Sequence, residues 1–173
     1  RSKIYEMNTK LYESAITDQL TGIYNRKGFY LQIEEIMGRL QKKKQKRSFA
    51  LMFIDLDNFK GYNDTFGHDV GDLILKEMAG IFKEVCGKEG FVSRYGGDEF
   101  IIIYRGMNAE EVYEKADQLR QDILDLNLTH AYSEAAKTVT ISQGICQDIP
   151  VDGNKSWDFL HVADNLLYRV KKK

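Results

Sequence analysis

The segment 49–54 constrains the fold most, because every one of its residues is apolar. A strand with one side in solvent alternates apolar and polar residues, whereas a strand covered on both sides is apolar at odd and even positions alike. We therefore predict a central strand over 48–56 with other layers packed on both of its faces. The length of 173 residues allows one compact domain with a substantial core.

The remaining elements follow from apolar periodicity and turn residues, and their order is helix, strand, two helices, hairpin, helix, strand, helix. A hairpin is antiparallel by construction, which disfavours a doubly wound parallel sheet. We predict an α+β fold in which helices surround a central mixed, largely antiparallel sheet. Before the central strand we expect a helix over 26–44, which Asn25 caps. After it, the expected elements are a short helix within 57–66, helices over 69–86, 108–126 and 156–171, a hairpin over 90–104, a loop over 127–136 and a strand over 138–147, with Asn108 and Glu111 as a capping box for the helix over 108–126.

Composition excludes several function classes. Lys+Arg 25 against Asp+Glu 26 gives a net charge of −1, so no overall field attracts nucleic acid. The apolar runs are too short to cross a bilayer, and the polar amino end has no secretory signal. Cys86 and Cys146 lack a pairing or zinc-binding motif, and reduced cysteines suit a cytoplasmic domain. That domain could stand free or serve as the output part of a membrane-anchored sensor.

The first residues suggest a connection to a region upstream. Ile4, Met7, Leu11 and Ser14 fall at the a/d spacing of a two-stranded coiled coil, although two heptads are a short sample. We expect residues 1–15 to form a linker helix from an upstream regulatory region, and residues 16–173 to form one domain.

The hairpin carries the first candidate site, in the string 94–100. Gly96 and Gly97 separate two β-rich runs, which predicts a tight turn with positive φ and with Asp98 and Glu99 at or just beyond its tip. Glycine backbone without Cβ lets the phosphates of a ligand approach closely. Paired carboxylates beside it suit a divalent metal that holds a polyphosphate. An ordinary surface hairpin with solvated acids is the alternative.

The central strand ends in a second candidate site. Asp55 lies where a buried apolar strand stops, which is costly for a carboxylate unless it is paired or coordinated. The backbone carbonyl of Leu56 is a further oxygen ligand of the kind that suits Mg²⁺. A polar strand end explains Asp55 equally well on spacing alone, and we assign Asp57 to a structural role as a helix cap.

The next segment offers groups that could bind a nucleotide. Free amides at the start of the short helix, with Lys60 nearby, favour an anion. Asn63 and Asp72 present an amide and a carboxylate, and one carboxylate can accept both N–H donors on an edge of guanine. Asp72 also falls in the first turn of the helix over 69–86, so a favourable interaction with the helix dipole competes with base recognition.

Five ordered motifs make the chain resemble the GGDEF-domain diguanylate cyclases, over nearly its whole length. The signature itself is intact at 96–100. The other motifs are Asp18-Gln19-Leu20-Thr21-Gly22-Ile23-Tyr24-Asn25-Arg26, the block from Asp55 to Leu75 with Gly67, His68 and Gly71, the strand Thr140 to Ile145, and the closing run Ala163 to Lys171.

The resemblance implies a five-stranded sheet and a reaction in which two GTP molecules condense to cyclic di-GMP and pyrophosphate. Each domain would hold one GTP, and two domains would face each other as a homodimer. Asp55, the Leu56 carbonyl and Asp98 would bind Mg²⁺ or Mn²⁺. Asp98 and Glu99 are the candidate catalytic acids, with Asp98 as acceptor of the 3′-OH proton. Asn63 and Asp72 would read guanine, while Phe59, Lys60, His68 and Lys171 would contact the phosphates and sugar.

One departure from the family pattern concerns feedback. Many members carry an R-x-x-D product-inhibition site five residues before the signature, whereas this chain has Gly87 and Gly90 at the two positions. We therefore expect no product-inhibition site there. A non-catalytic module that binds GTP or cyclic di-GMP is the alternative function, although degenerate members of that kind usually lose the signature acids.

Overall fold

The computed structural model describes residues 2–42, 49–129 and 140–148, together with the single residues 158, 161, 162, 164, 165 and 168, whose backbone is helical. The helices are α1 (Ser2–Ile16), α2 (Arg26–Lys42), α3 (Phe59–Phe66), α4 (His68–Cys86) and α5 (Ala109–Thr129). The strands are β1 (Phe49–Leu56), β2 (Gly90–Arg94), β3 (Glu99–Arg105) and β4 (Ile141–Asp148).

The four strands form one sheet in the order β2-β3-β1-β4, and every pairing is antiparallel. The predicted fold class is confirmed, with β1 inside the sheet as expected. The count of five strands is wrong for the described part of the chain, which contains four. Residues 130–139 and 149–157 lie outside the described residues.

Both faces of β1 are buried, and each contributes to a separate core. Phe49, Leu51 and Phe53 pack with α2 on one face. The alternate residues of β1 pack with α4 and α5 on the other, where Phe82 meets Phe100 edge to face at 5.0 Å. The uninterrupted apolar sequence of β1 is thus explained by helices on both sides of the sheet.

Two predicted helix starts are confirmed by their caps. The Gly28 amide donates to Asn25 Oδ1 at 2.9 Å before α2, and the Glu111 amide donates to Asn108 Oδ1 at 2.9 Å before α5. The prediction that a loop begins at 127 is wrong, because α5 continues to Thr129. Extending a helix costs much less than starting one, so residues of modest propensity are carried along at its end.

Helix α1 is exposed along most of its length and becomes buried only at Ile16. Its exposed large apolar side chains are Ile4, Tyr5, Met7, Leu11 and Tyr12. Within the described residues, no helix combines the length and the apolar character that crossing a membrane would require. The assignment of 1–15 as a linker and of 16–173 as one catalytic domain stays a prediction.

Candidate active site

The turn between β2 and β3 contains four residues, 95–98. The amides of Tyr95 and Gly96 both donate to the Glu99 carbonyl, at 2.7 and 3.2 Å. The prediction of a tight turn with positive φ is wrong, because neither Gly96 nor Gly97 has positive φ. Close approach explains the first glycine instead, since a Cβ on Gly96 would lie 2.3 Å from Glu99 Oε1.

Arg94, which the motif analysis did not single out, holds the turn from one side. Its Nε and Nη2 donate to the Gly97 carbonyl at 3.1 and 2.8 Å, and its Nη1 lies 3.2 Å from both carboxylate oxygens of Asp18. Burial alone raises the pKa of Asp18, but hydrogen bonds from Thr21 and the Arg94 charge outweigh it and lower that pKa. The ionised Asp18 thereby ties the segment before α2 to the turn.

Arg26 holds the same turn from the other side. Its Nε donates to the Tyr95 carbonyl at 3.2 Å, and its guanidinium carbon lies 4.0 Å from the centre of the Tyr95 ring. The Tyr95 hydroxyl is 2.8 Å from that of Tyr30 on α2. Burial, followed by this hydrogen bond, raises the pKa of Tyr95 to about 12. The backbone of the turn is therefore fixed at two carbonyls by two arginines.

The end of β1 lies directly beside this turn. Asp55 is the register partner of Glu99, and the Leu56 amide donates to the Asp98 carbonyl at 3.1 Å. Sequence positions more than forty residues apart are thus adjacent in space. Asp55 is two residues after Phe53 in β1, so its side chain lies on the same face of the sheet, the one covered by α2. The side chain of its register partner Glu99 lies on that face too.

Negative charge accumulates at this edge of the sheet. Burial, followed by the charges of Asp55 and Asp98, raises the pKa of Glu99, with Asp164 adding to the effect and Arg26 opposing it. A cation would relieve this repulsion, so the donor set suits a divalent metal. No group of three or more His, Cys, Asp or Glu side chains arranged for a metal occurs among the described residues. The predicted metal ligands are not a cluster of that kind, since they are the two carboxylates of Asp55 and Asp98 and the backbone carbonyl of Leu56.

Asp57 does not cap a helix, so that prediction is wrong. Asn58 precedes α3 in the left-handed conformation and makes no side-chain capping bond. Asp57 instead accepts hydrogen bonds from the hydroxyls of Thr140 and Ser142 at the start of β4, at 2.8 and 2.5 Å. A contact between residues so far apart in sequence leaves no local signal from which it could have been predicted.

A cleft of about 500 Å³ opens beside the turn, between α3 and α4. It gathers most of the predicted nucleotide-binding residues with Asp98. Its lining residues are Phe59, Lys60, Asn63, Asp64, His68, Asp72, Leu75, Arg94, Gly97 and Asp98. Asp55, Leu56 and Glu99 do not line the cleft and lie at the adjoining strand edge. Lys171 lies outside the described residues.

Asn63 is the most unusual side chain of the cleft. Its Oδ1 atom is buried, and among the described residues it has no hydrogen-bond partner. Gly71 of α4 makes room for it, because a Cβ there would come within 1.8 Å of Asn63 Oδ1 and 3.3 Å of the Phe59 ring. A buried acceptor of this kind is costly unless a ligand supplies the donor.

A second cavity, of about 450 Å³, lies between the end of α1, the end of α4 and β2. Ile16, Ile23, Phe91 and Val92 give it largely apolar walls, and Gly87 is at its edge. It contains none of the predicted catalytic, metal-binding or substrate-binding residues. The cleft beside Asp98 is therefore the candidate active site.

Comparison with known proteins identifies the family of this chain. Residues 15–173 match the family model described as "Diguanylate cyclase, GGDEF domain". A diguanylate cyclase of Vibrio cholerae is 32% identical over 169 residues, which cover 98% of this chain and 50% of that protein. The response regulator PleD of Caulobacter vibrioides is 33% identical over 159 residues, which cover 92% of this chain and 34% of the relative.

Solved structures show the same architecture. The coiled coil and GGDEF domain of DgcB from Caulobacter crescentus, in complex with c-di-GMP, superimposes with a TM-score of 0.89 at 27% identity and covers 99% of this chain and 88% of that one. The curated relatives are longer proteins, of which this chain spans about half or less. The match over residues 15–173 shows that this chain belongs to the GGDEF-domain family of diguanylate cyclases.

Proposed function

We propose that this chain is a diguanylate cyclase domain that condenses two molecules of GTP into cyclic di-GMP and two of pyrophosphate. In each half of the reaction, a 3′-oxygen attacks the α-phosphorus of the other nucleotide. The new P–O bond forms as the bond to pyrophosphate breaks, and the 3′-OH proton is lost. The observation that carries the proposal is the cleft, which places Asn63 and Asp72 in the same space as Asp98.

Guanine is the base that the cleft suits best. The buried Asn63 Oδ1 needs a hydrogen-bond donor, and the exposed carboxylate of Asp72 lines the same space. Guanine supplies N1–H and N2–H₂ on one edge, whereas adenine has no N1–H donor. Lys60 and His68 lie beside them and can contact the sugar and phosphates. Lys171 would be a further phosphate ligand.

Asp55, the Leu56 carbonyl and Asp98 would hold Mg²⁺ or Mn²⁺ at the strand edge. A metal ion there supplies charge neutralisation on the phosphates and on the attacking and leaving oxygens. Asp98 is the candidate acceptor of the 3′-OH proton, because it lines the cleft and also adjoins Leu56. Glu99, with its raised pKa, faces the same charges and is the second acid. The nucleotide would extend from the cleft around the end of β1 to these carboxylates.

Two copies of the domain are needed, since each supplies one GTP. Helix α1 favours a parallel pair, because its apolar side chains Ile4, Met7 and Leu11 are each more than 60% exposed. Burying such a stripe against a second α1 removes apolar surface from water. An upstream sensor joined to α1 would control how the two domains meet. The domain itself would act in the cytoplasm, without nucleic-acid or membrane contact.

The test is incubation of the chain with GTP and Mg²⁺ over a range of protein concentrations, with the product identified by mass. We expect cyclic di-GMP, formed at a rate that rises faster than linearly with protein concentration. Binding of GTP without turnover would favour the alternative of a non-catalytic binding module, provided that it persists when two α1 helices are joined by a disulfide between introduced cysteines. Retention of Asp98 and Glu99 favours the enzyme.

A further inference from the structure

We propose that Asp57 is a positioning residue, which directs the Leu56 carbonyl toward Asp98 by anchoring the end of β1 to the start of β4. The inference rests on the proposed function, because it concerns the carbonyl that would bind the metal. The resemblance to the family gave Asp57 no such role, and the sequence suggested only a helix cap.

Three hydrogen bonds join Asp57 to β4. Its carboxylate oxygens accept from Thr140 Oγ1 at 2.8 Å and from Ser142 Oγ at 2.5 Å. Its amide donates to the Thr140 carbonyl at 2.9 Å. Hydrogen bonds to a charged group are stronger than neutral ones, and each oxygen here has its own hydroxyl donor. The side chain is therefore held in one orientation at the edge where β1 stops.

These bonds fix the peptide between Leu56 and Asp57. The described part of the chain has no cis peptide bond, so the Leu56 carbonyl and the Asp57 amide point in opposite directions. Because the Asp57 amide points toward Thr140 on β4, the Leu56 carbonyl points away from β4. The Leu56 amide donates to the Asp98 carbonyl, which puts Asp98 on that same side. The Asp57 bonds thus aim the carbonyl at the side of the strand where Asp98 lies.

Two other roles for Asp57 make different predictions. If Asp57 bound the metal directly, its two hydroxyl donors would compete with the cation, and removing them would leave metal binding unchanged or tighter. If the bonds only stabilised the edge of the sheet, their loss would weaken every ligand equally. A positioning role affects metal binding alone, because the base-binding groups lie on α3 and α4.

The test compares two double variants that differ only at residue 140, where serine keeps the hydroxyl that valine lacks: Thr140→Val/Ser142→Ala and Thr140→Ser/Ser142→Ala. Both keep the Asp57 carboxylate. Mn²⁺ binding to the chain with an α,β-methylene analogue of GTP is followed by electron paramagnetic resonance, so no turnover is needed. GMP binding without divalent metal is measured by calorimetry on the same proteins, and their folding by circular dichroism.

We expect Thr140→Val/Ser142→Ala to bind Mn²⁺ about 10-fold more weakly, since loss of groups that orient metal ligands costs about 10–100-fold. Thr140→Ser/Ser142→Ala should recover much of that loss, and both should bind GMP like the wild type. Unchanged or tighter Mn²⁺ binding, a parallel loss of GMP binding, or failure of the serine to restore Mn²⁺ affinity would each overturn the positioning role. Failure of the wild type to bind Mn²⁺ with the analogue would instead overturn the proposed function.

Discussion

The β2–β3 turn and the neighbouring cleft differ in how their candidate functional groups are held in place. Arg94 and Arg26 fix the turn by bonds to the carbonyls of Gly97 and Tyr95, and backbone pairing fixes Asp98 against Leu56. The cleft instead presents Lys60, His68 and Asp72 as exposed side chains on two helices. Groups that act in phosphoryl transfer must be positioned before substrate arrives, whereas groups that only bind the nucleotide can be ordered by the nucleotide itself.

The largest effect is expected from Asp98→Ala. Loss of this carboxylate should lower turnover about 1,000-fold or more, because metal-assisted charge stabilisation supplies several kcal/mol. The melting temperature should hardly change, since the backbone carbonyl that pairs with Leu56 remains. Pyrophosphate release provides the measurement and circular dichroism the folding control. A turnover close to that of the wild type would show that Asp98 takes no part in the reaction.

Arg94→Lys tests whether the turn must be held rigidly. Lysine cannot reproduce the guanidinium fork that reaches both the Gly97 carbonyl and Asp18, so we expect kcat to fall about 10–100-fold. The matched control is Arg39→Lys in the exposed pair with Glu35, where surface ion pairs contribute about 0–1 kcal/mol. Equal behaviour of the two variants in steady-state assays would show that the turn needs no such support.

Gly71→Ala and Gly80→Ala form a matched pair within α4. Alanine should favour the helix at both positions, by about 0.5–1 kcal/mol. Gly80 has open space, whereas a Cβ on Gly71 would displace the Asn63 amide. We expect Gly71→Ala to weaken GTP binding about 10-fold and Gly80→Ala to leave it unchanged. Calorimetry with the α,β-methylene analogue of GTP measures the two affinities. Equal affinities would show that Asn63 takes no part in base recognition.

Glu99→Gln tests the repulsion among the carboxylates at the strand edge when no metal ion is bound. Because the folded-state pKa of Glu99 is raised, the folded protein holds this proton more tightly than the unfolded chain. Its contribution to stability therefore decreases as pH rises through and above the usual range of a glutamate. The variant should melt slightly higher than the wild type at pH 7 in EDTA, by less than the 2–4 °C that about 1 kcal/mol produces in a domain of this size. Thermal scans at pH 4 and pH 7 should show the difference at pH 7 only. A variant that melts at a lower temperature than the wild type at pH 7 would contradict the repulsion between Glu99 and its neighbouring carboxylates.

The smallest effect is expected at the second cavity, which Gly87 and Gly90 line in place of the arginine and aspartate of the feedback motif. Cyclic di-GMP should not bind there, because neither glycine offers a charge or a side-chain donor. Titration calorimetry of the chain with cyclic di-GMP tests this, with Lys83→Glu at the same cavity as the comparison. Tight binding by the wild type that Lys83→Glu abolishes would establish a product-binding site there after all.

Local patterns in the sequence predicted much of this molecule correctly. The apolar run of β1, the caps at Asn25 and Asn108, and the antiparallel hairpin each follow from neighbours within a few residues. Asp57 looked like a cap because the hydroxyls that bind it come from a distant segment. The Gly-Gly step looked like a primed turn, but the Tyr95 and Gly96 amides both pair with the Glu99 carbonyl, which makes a four-residue turn without positive φ at either glycine.

The sequence by itself determined which residues are candidates for the chemistry, because their types and spacing are local, and it determined the two-sided burial of β1, because that strand is apolar at odd and even positions alike. Only the tertiary structure decided how they meet. The pairing of Asp55 with Glu99, the direction of the Leu56 carbonyl and the bond from Arg94 to Asp18, 76 residues away, depend on strand register and on loops closed during folding. Such contacts are stabilised by the packed sheet as a whole, and no short segment contains the energy that selects them.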